Sequence, residues 1–226
     1  MTFAAAFPRT FSAPFKPDLA ADVVASWWVV AGKTCVAAYQ PKGAASLATS
    51  YINLANPGTY DAAPGVAPTF DAATGWIGNG TAYLRTGIIP AAGWSALCRF
   101  SELYTNTNTN RSNHALFGTY TTNNARFGFM TFFQYGSRYY LSGGQLIKSG
   151  AVSSGVYGIA GQTAYANGAA ETGAISAWNG TASEIYILDA NGANVKTTGT
   201  IAALVLYSAT LSADEVATVS AAMAAL

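Results

Sequence analysis

Short apolar segments alternate with turn residues from Ser26 to the end of the chain. Segments of about four to eight residues bounded by Gly, Pro, Asn and Ser are typical of the strands of a sandwich or a barrel. The candidate strands are residues 27–30, 34–39, 81–85, 95–100, 115–119, 127–133, 138–142, 156–159, 163–166, 184–188 and 201–207. Because no linker interrupts them, the pattern predicts one all-β domain over residues 26–226.

The C-terminal part of the chain carries the clearest local signals. Asn167-Gly168 ends an alternating segment, and this dipeptide tolerates the positive φ angles of a tight hairpin turn. Residues 201–207 predict a buried strand. Ser212 and Glu215 then have the spacing of a capping box, and the apolar residues flanking them have the spacing of a hydrophobic staple. We therefore expect a short amphipathic helix at the C-terminal end.

Residues 1–25 differ from the rest and predict an extended N-terminal arm. Phenylalanine recurs at every fourth position: Phe3, Phe7, Phe11 and Phe15. Prolines at 8, 14 and 17 argue against a regular helix, so the rings are interpreted as anchors on an extended segment. Such rings need to be buried. The arm either packs on its own sandwich or docks on a neighbouring subunit.

Three segments predict loops. Residues 43–74 carry Pro57-Gly58 and Pro64-Gly65 and predict a long structured loop, with one short helical turn within residues 47–54. Residues 104–113 form a polar Asn/Thr tract that predicts a solvated loop tip. Trp76 and Trp178 each precede an Asn-Gly-Thr-Ala sequence, which indicates two hairpin turns or, alternatively, a duplication.

The composition limits the choice of partners. Hydrophobic residues make up 51% of the chain and charged residues 9%, with a formal net charge of +1. A sizeable core is therefore expected, whereas binding of nucleic acid or of a membrane surface through charge is not. A surface rich in Thr, Ser, Asn, Gly and Tyr is typical of extracellular or virion-exposed β proteins.

The cysteines and the first residues bear on the compartment. Cys35 and Cys98 lie in apolar strand patterns, which favours buried free thiols, with one disulfide as the alternative. The first eight residues lack a basic region and a sustained apolar stretch, so they do not predict a secretory signal. Residues 27–30 are too short to span a bilayer. We expect the protein on a virion or an extracellular surface, without membrane insertion.

The order of several weak motifs points to a known superfamily. Residues 70–76 with residues 79–84 resemble the early strand pair of the concanavalin A-like lectin/glucanase superfamily, and more narrowly of laminin-G-like jelly rolls. Residues 164–168 resemble the recurring Tyr-x-Asn-Gly hairpin of that family, and residues 201–215 resemble its closing strand and helix. The resemblance covers about residues 35–226. It implies two antiparallel sheets stacked face to face, a fold that hosts glycan binding, adhesion, virion decoration and some glycosidases.

Residues 37–43, together with the aromatic arm before them, also resemble particle proteins of phages and environmental viruses. This resemblance implies a virion component, such as a capsid decoration or tail protein. Its partners would be copies of itself or other particle proteins, contacted through the arm.

Catalytic constellations are poorly represented in the sequence. Glycoside hydrolysis needs two carboxylates across the scissile bond, and the four glutamates lack the Glu-x-Asp-x-x-Glu spacing of the glucanase branch. His114 is the single histidine, and no Gly-x-Ser-x-Gly elbow accompanies it. Cys35 and Cys98 show no sign of activation as nucleophiles. We therefore expect a non-enzymatic protein, with a glycoside hydrolase as the less favoured alternative.

Two candidate binding sites come from the loops. Aromatic and amide side chains suited to glycan binding are Tyr104, Tyr120, Asn123 and Trp178, although such residues also occur as core or as solvated loops. Oxygen ligands for one calcium ion are offered by Asp189, Asn191 and Asn194, for which a plain Asn/Gly hairpin turn is the alternative. No other cofactor is expected. The leading hypothesis is a structural or adhesive virion protein, and the alternative is a lectin-type carbohydrate-binding module.

Overall fold

The protein is an all-β sandwich with a short C-terminal helix. The structure, a computed structural model, describes residues 26–101, 113–122, 125–132, 136–141, 144–148, 152–176 and 180–226. Two antiparallel sheets stack face to face in it, as the sequence predicted. Residues 1–25, with the arm residues Phe3, Phe7, Phe11 and Phe15, lie outside the described residues.

The elements follow one another as short strands with two helices in the described part of the chain. In chain order they are β1 (Cys35–Tyr39), α1 (Leu47–Ser50), β2 (Ala63–Val66), β3 (Thr69–Asp71), β4 (Gly75–Ile77), β5 (Tyr83–Arg85), β6 (Ser95–Ser101), β7 (Asn113–Thr122), β8 (Ala125–Phe132), β9 (Gly136–Leu141), β10 (Gly144–Lys148), β11 (Gly155–Ala160), β12 (Thr163–Ala166), β13 (Ala169–Ala170), β14 (Tyr186–Ile187), β15 (Thr200–Tyr207) and α2 (Ala213–Ala225).

The strands divide between two sheets. Sheet A has the order β13-β12-β11-β6-β15-β4-β3, and β1 also pairs with β15. Sheet B has the order β10-β9-β8-β7-β14-β5-β2. Crossovers between the sheets, such as β4 to β5, make each sheet a mixture of early and late strands. The core therefore depends on contacts between distant parts of the chain.

The space between the sheets holds the main hydrophobic core. Its largest fully buried side chains include Trp76, Tyr39, Phe100, Phe117 and Phe129. From residue 81 to 90, every second residue is buried and those between are exposed or half-buried, so one face of this segment supplies the core. Trp76 Nε1 donates to Ser50 Oγ at 2.7 Å and the Tyr39 hydroxyl donates to the carbonyl of Tyr60 at 2.6 Å, so the burial of these two side chains carries little polar penalty.

Strand β15 is buried along its whole length because both of its faces are covered. Ile201, Leu204 and Leu206 belong to the inter-sheet core, whereas Val205 and Tyr207 belong to a second cluster beneath α2. This explains why the strand is apolar throughout rather than alternating. The predicted capping box is present at the start of α2, where Ser212 N donates to Glu215 Oε2 at 2.7 Å.

The hairpin predicted at Asn167-Gly168 is also confirmed. Asn167 and Gly168 have φ angles of 51° and 83°, and they join β12 to β13. Most other strand predictions hold with ends moved by a few residues, and α1 is the helical turn predicted within residues 47–54. Neither helix in the described part of the chain has the length and unbroken apolarity needed to cross a bilayer.

Three predictions were wrong. Residues 27–30 are not a strand: they turn, and the indole of Trp27 donates to Gln40 Oε1 while both tryptophans cover the outer cluster of sheet A. Residues 43–74 are not a plain loop, because β2 and β3 lie within them. The Pro in β2 hid this strand, and it is tolerated there because β2 is an edge strand.

The third wrong prediction concerns Asn79-Gly80. This dipeptide does not close a hairpin, because β4 belongs to sheet A and β5 to sheet B. The side chain of Asn79 accepts hydrogen bonds from the backbone of Thr81 and Ala82, which shapes a crossing loop. The similar sequence at Trp178 begins outside the described residues, as does most of the Asn/Thr tract.

Candidate functional site

The structure describes some of the predicted site residues. Tyr104, Asn123 and Trp178 lie outside the described residues, so their proposed glycan-binding role stays a prediction. Tyr120 lies near the end of β7, where the guanidinium of Arg126 is 4.6 Å from the centroid of its ring.

The three predicted calcium ligands lie in one loop against β7. Asn191 O accepts a hydrogen bond from Tyr120 N at 2.7 Å, so this loop and the predicted aromatic residue are neighbours. The Asn191 side chain instead donates to the carbonyl of Glu184. Asp189 Oδ1 accepts from the backbone N–H groups of Ala190 and Val195. These contacts shape the loop.

Two other side-chain oxygen atoms of this loop contact the ammonium group of a lysine. Lys196 Nζ lies 3.2 Å from Asp189 Oδ2 and 2.6 Å from Asn194 Oδ1. Its ammonium therefore occupies the place between Asp189 and Asn194 where the sequence predicted an ion. The calcium site itself stays a prediction, but a metal ion there would have to displace a charged lysine.

A pair of stacked tyrosines lies beside that lysine. The ring centroids of Tyr83 and Tyr186 are 5.0 Å apart, with an interplanar angle of 28°. Lys196 Nζ is 5.5 Å from the centroid of Tyr83. The ring of Tyr83 lies over Gly65 and fits there because Gly65 has no side chain. A Cβ at that position would lie 2.1 Å from the ring. We call Tyr83 and Tyr186 the tyrosine pair.

Strand alternation places the tyrosine pair on the outer face of sheet B. Leu84 on β5 and Ile187 on β14 are fully buried in the core and pair with each other. Their neighbours Tyr83 and Tyr186 must therefore point away from the core. Both rings are half-buried, and within the described residues no protein atom hydrogen-bonds to either hydroxyl. Two fixed ring edges with available hydroxyls thus remain accessible.

An ion pair borders the tyrosine pair. Glu184 Oε1 accepts from Arg85 Nε at 2.7 Å and lies 2.6 Å from Arg85 Nη2, while Glu184 Oε2 accepts from Gly87 N at 2.6 Å. Burial, followed by the charge of Glu184, raises the pKa of Tyr186. The Tyr186 hydroxyl therefore remains a hydrogen-bond donor at neutral pH.

Sequence reasoning missed the tyrosine pair. Both residues fall in correctly predicted strands, each next to a buried residue, Leu84 or Ile187. This alternation was the signal in the sequence that both tyrosines lie on the outer face of the sheet. Their pairing joins β5 to β14, which lie about 100 residues apart in the chain. No local pattern reveals which two distant strands are neighbours, so the sequence alone could not bring them together.

All but one of the seven described Asp and Glu side chains are engaged in structural contacts, the exception being Asp214. Six of them accept backbone N–H groups or pair with a cation: Asp61, Asp71, Glu171, Glu184, Asp189 and Glu215. Glycoside hydrolysis requires two carboxylates free to exchange protons or to attack the sugar. Among the described residues, no group of three or more His, Cys, Asp and Glu side chains could hold a metal ion.

The cysteines and the histidine are also poorly suited to nucleophilic chemistry. Cys35 and Cys98 are free thiols. Burial raises the pKa of Cys35 to about 12 and raises that of the fully buried Cys98 as well. A thiolate, the reactive form, is therefore rare at neutral pH. The ring of His114 contacts the backbone carbonyl of Lys196 at 3.3 Å.

Comparison with known proteins adds information on the fold. No protein-family model matches the chain, and no curated protein sequence does. Among solved structures, Trypanosoma rangeli sialidase aligns with a TM-score of 0.57 at 14% identity, over 82% of this chain and 32% of the sialidase chain. This chain thus spans about a third of the sialidase.

Two further structures align over a similar share of this chain. The HCR/D W1238A mutant has a TM-score of 0.57 at 8% identity and covers 83% of this chain and 51% of its own. Domain 4 of AbnA, a GH43 extracellular arabinanase from Geobacillus stearothermophilus, in complex with arabinotriose, has a TM-score of 0.50 at 12% identity. It covers 83% of this chain and 98% of that domain. These likenesses show a shared β-sandwich of jelly-roll type, compatible with the concanavalin A-like superfamily.

Proposed function

We propose that the chain is a non-catalytic adhesive module that binds carbohydrate on the outer face of sheet B. The observation that carries the proposal is the tyrosine pair, with rings stacked 5.0 Å apart and hydroxyls without a protein partner among the described residues. The accessible ring edges offer apolar contact to the C–H groups of a sugar, and the hydroxyls offer hydrogen bonds to its polar groups.

The surroundings of the pair favour binding over chemistry. Arg85 and Lys196 flank the rings, but each is held by a carboxylate, so their charges are balanced. The same two carboxylates are thereby occupied, which argues against their use as acid and base. The Tyr83 ring packs directly over Gly65, and the two rings pack on each other. Rings that are already fixed in this way lose little conformational entropy on binding.

The similar structures support this choice of ligand class. Domain 4 of AbnA, which this chain matches over nearly the whole of that domain, was solved in complex with arabinotriose. Its identity of 12% carries the fold alone. Arabinotriose is nevertheless a rational first probe, followed by a broad glycan array.

The test compares the full chain with variants of the pair. We expect Tyr83→Ala and Tyr186→Ala to weaken binding about tenfold or more, as truncation of a central aromatic contact does. Ile147→Ala is the matched control, because Ile147 is a large exposed side chain (42%) on β10 at the opposite edge of the same sheet. A flat glycan array, or equal losses in the variants and the control, would disprove the proposal.

A second proposal concerns residues 1–25. The four phenylalanines at every fourth position favour docking of this arm on another copy or another particle protein, as a structural component of a virion. Burying each ring would contribute about 1.5–3 kcal/mol before ordering costs. Replacing Phe3, Phe7, Phe11 and Phe15 with Ser in the full chain should lower the assembly mass measured by light scattering. An unchanged monomer in both proteins would refute this role.

A further inference from the structure

A cavity lies on the outer face of sheet A, on the side of the molecule opposite the tyrosine pair. Its volume is about 300 Å³, and its walls come from β6, β11, the β3–β4 turn and the last turn of α2. Ala202, the bulged residue of β15, is also part of its lining. The volume is at the lower end of the range for small-molecule sites, about 300–1,000 Å³, which suits one sugar unit.

Two cations line this cavity, and neither is paired with a carboxylate of the described residues. Four other cations each have such a partner: Lys33, Arg85, Lys148 and Lys196. Arg99 and Lys42 lack one, and both line the same cavity. Its described lining contains no Asp or Glu. An unbalanced pair of charges in one concave site is the feature that singles it out.

Arg99 is held in position by the helix. Its Nη1 donates to the carbonyl of Met223 at 2.8 Å, which leaves the other guanidinium donors available. The carbonyl end of a helix carries about half a negative charge, which disfavours an anion nearby. Two full positive charges exceed that half charge, and one of them is bonded directly to a carbonyl of the last turn. The side chains that line the described part of the cavity therefore carry a net positive charge.

Hydroxyl and amide groups supply the neutral polar part of the lining, which also contains Ala, Val, Phe and Gly residues. Thr74, Ser101, Ser154 and Asn167 provide the polar groups. Thr74 is fixed because Asp71 Oδ1 accepts from the backbone N–H groups of Ala73 and Thr74, which also occupies this nearby carboxylate. Several neutral polar groups beside two cations match a ligand that carries many hydroxyls and one negative charge.

We propose that this cavity binds an acidic monosaccharide unit, a hydroxylated ring that bears a carboxylate. Arg99 and Lys42 hold the carboxylate, the guanidinium with fixed geometry and the ammonium as a point charge. The hydroxyl and amide side chains bind the ring. This site does not depend on the tyrosine pair, because the two lie on different sheets.

The test is calorimetric titration of the full chain with glucuronate. Glucose serves as the neutral match and acetate as the simple anion. We expect glucuronate to bind, glucose and acetate to bind at least about tenfold more weakly, and added salt to weaken glucuronate binding. Glucuronate binding no stronger than that of glucose would overturn the site, and acetate binding equal to glucuronate would overturn the sugar specificity.

Matched variants locate the binding. Lys42→Gln should weaken glucuronate binding about tenfold, whereas Lys148→Gln, an equal charge change on sheet B, should leave it unchanged. Arg99→Lys keeps the positive charge but loses the planar guanidinium with its several donors, so we expect weaker glucuronate binding in this variant too. Its melting temperature verifies that it is folded. Equal affinity in Lys42→Gln and Lys148→Gln would refute the assignment. Loss of the tyrosine pair should not change this affinity.

Discussion

Lys196 Nζ lies 3.2 Å from Oδ2 of Asp189, whose side chain is 5% exposed. The other oxygen of that carboxylate accepts two backbone N–H groups of the same loop. One acid thus fixes the loop and holds a lysine against Tyr83. Two of the three predicted metal ligands, Asp189 and Asn194, do contact a cation, and that cation is the side chain of Lys196.

Removing Asp189 should destabilise the fold. Asp189→Ala leaves two backbone N–H groups without their acceptor and the Lys196 ammonium without its carboxylate, and we expect a loss of about 3 kcal/mol in the free energy of unfolding. Urea denaturation measures it. Asp214→Ala, at an exposed position in the first turn of α2, is the control and should change stability by less than about 1 kcal/mol. Equal effects would contradict the structural role.

Calcium should not stabilise the wild-type protein. An ion binding at Asp189 and Asn194 would have to displace the Lys196 ammonium, so millimolar calcium should leave the melting temperature unchanged relative to chelator. A ligand that binds the native state raises that temperature. A clear rise with calcium would restore the metal site predicted from the loop.

Gly65→Ala should impair binding without unfolding the sandwich. The new Cβ would lie 2.1 Å from the ring of Tyr83, so the ring must move and its stack on Tyr186 is lost. We expect carbohydrate affinity to fall about as far as in Tyr83→Ala, together with a change in the near-ultraviolet circular dichroism. Unchanged affinity with an altered spectrum would show that the stacked geometry is dispensable.

Gly158→Ala should destabilise strongly. A Cβ there would lie 1.9 Å from the carbonyl oxygen of Ala96, a backbone atom that cannot yield. We expect a loss of about 3 kcal/mol in urea unfolding. Gly32→Ala is the comparison, because its φ of +71° adds strain of about 1 kcal/mol but no atom lies nearby. A smaller loss at Gly158 than at Gly32 would contradict the packing described.

Stability should fall in acid through the cap of α2. The hydrogen bond from the Ser212 backbone lowers the pKa of Glu215 below its ordinary value of 4.5. A group with a lowered folded pKa contributes stability that is present above 4.5 and lost as the pH falls through the folded value. Glu215→Gln keeps the cap but not the charge, so its unfolding profile should be flatter below pH 4.5. Asp214→Asn is the control, and identical profiles in wild type and Glu215→Gln would refute the role of the charge.

Local signals accounted for much of the fold. The Asn167-Gly168 turn, the cap at Ser212 and the apolar run of β15 each depend on neighbours in sequence, and each was predictable. Strand β2 was missed because its Pro and Gly resemble a loop, although an edge strand tolerates both. Residues 27–30 resembled a strand because they are all apolar, and three of them, Trp27, Trp28 and Val30, cover the outer cluster of sheet A.

The candidate site was less predictable than the fold. Tyr120, which belongs to β7, and the loop of Asp189 were recognised from residue type, and the structure places them next to each other. Tyr83 and Tyr186 were not recognised, because their value depends on the pairing of two distant strands. Likewise, Lys42 and Arg99 have no carboxylate partner among the described residues because the fold places those carboxylates elsewhere. This is a property of the tertiary structure and cannot be read from the sequence.

The position of β15 has a consequence for biosynthesis. This strand sits between β6 on one side and β1 and β4 on the other, so the two parts of sheet A cannot join until residues 200–207 have left the ribosome. Earlier segments would wait with exposed strand edges and aromatic side chains, the state most prone to misassociation. Nascent chains stalled before Thr200 should therefore depend on chaperones, whereas chains released beyond α2 should close quickly into the sandwich.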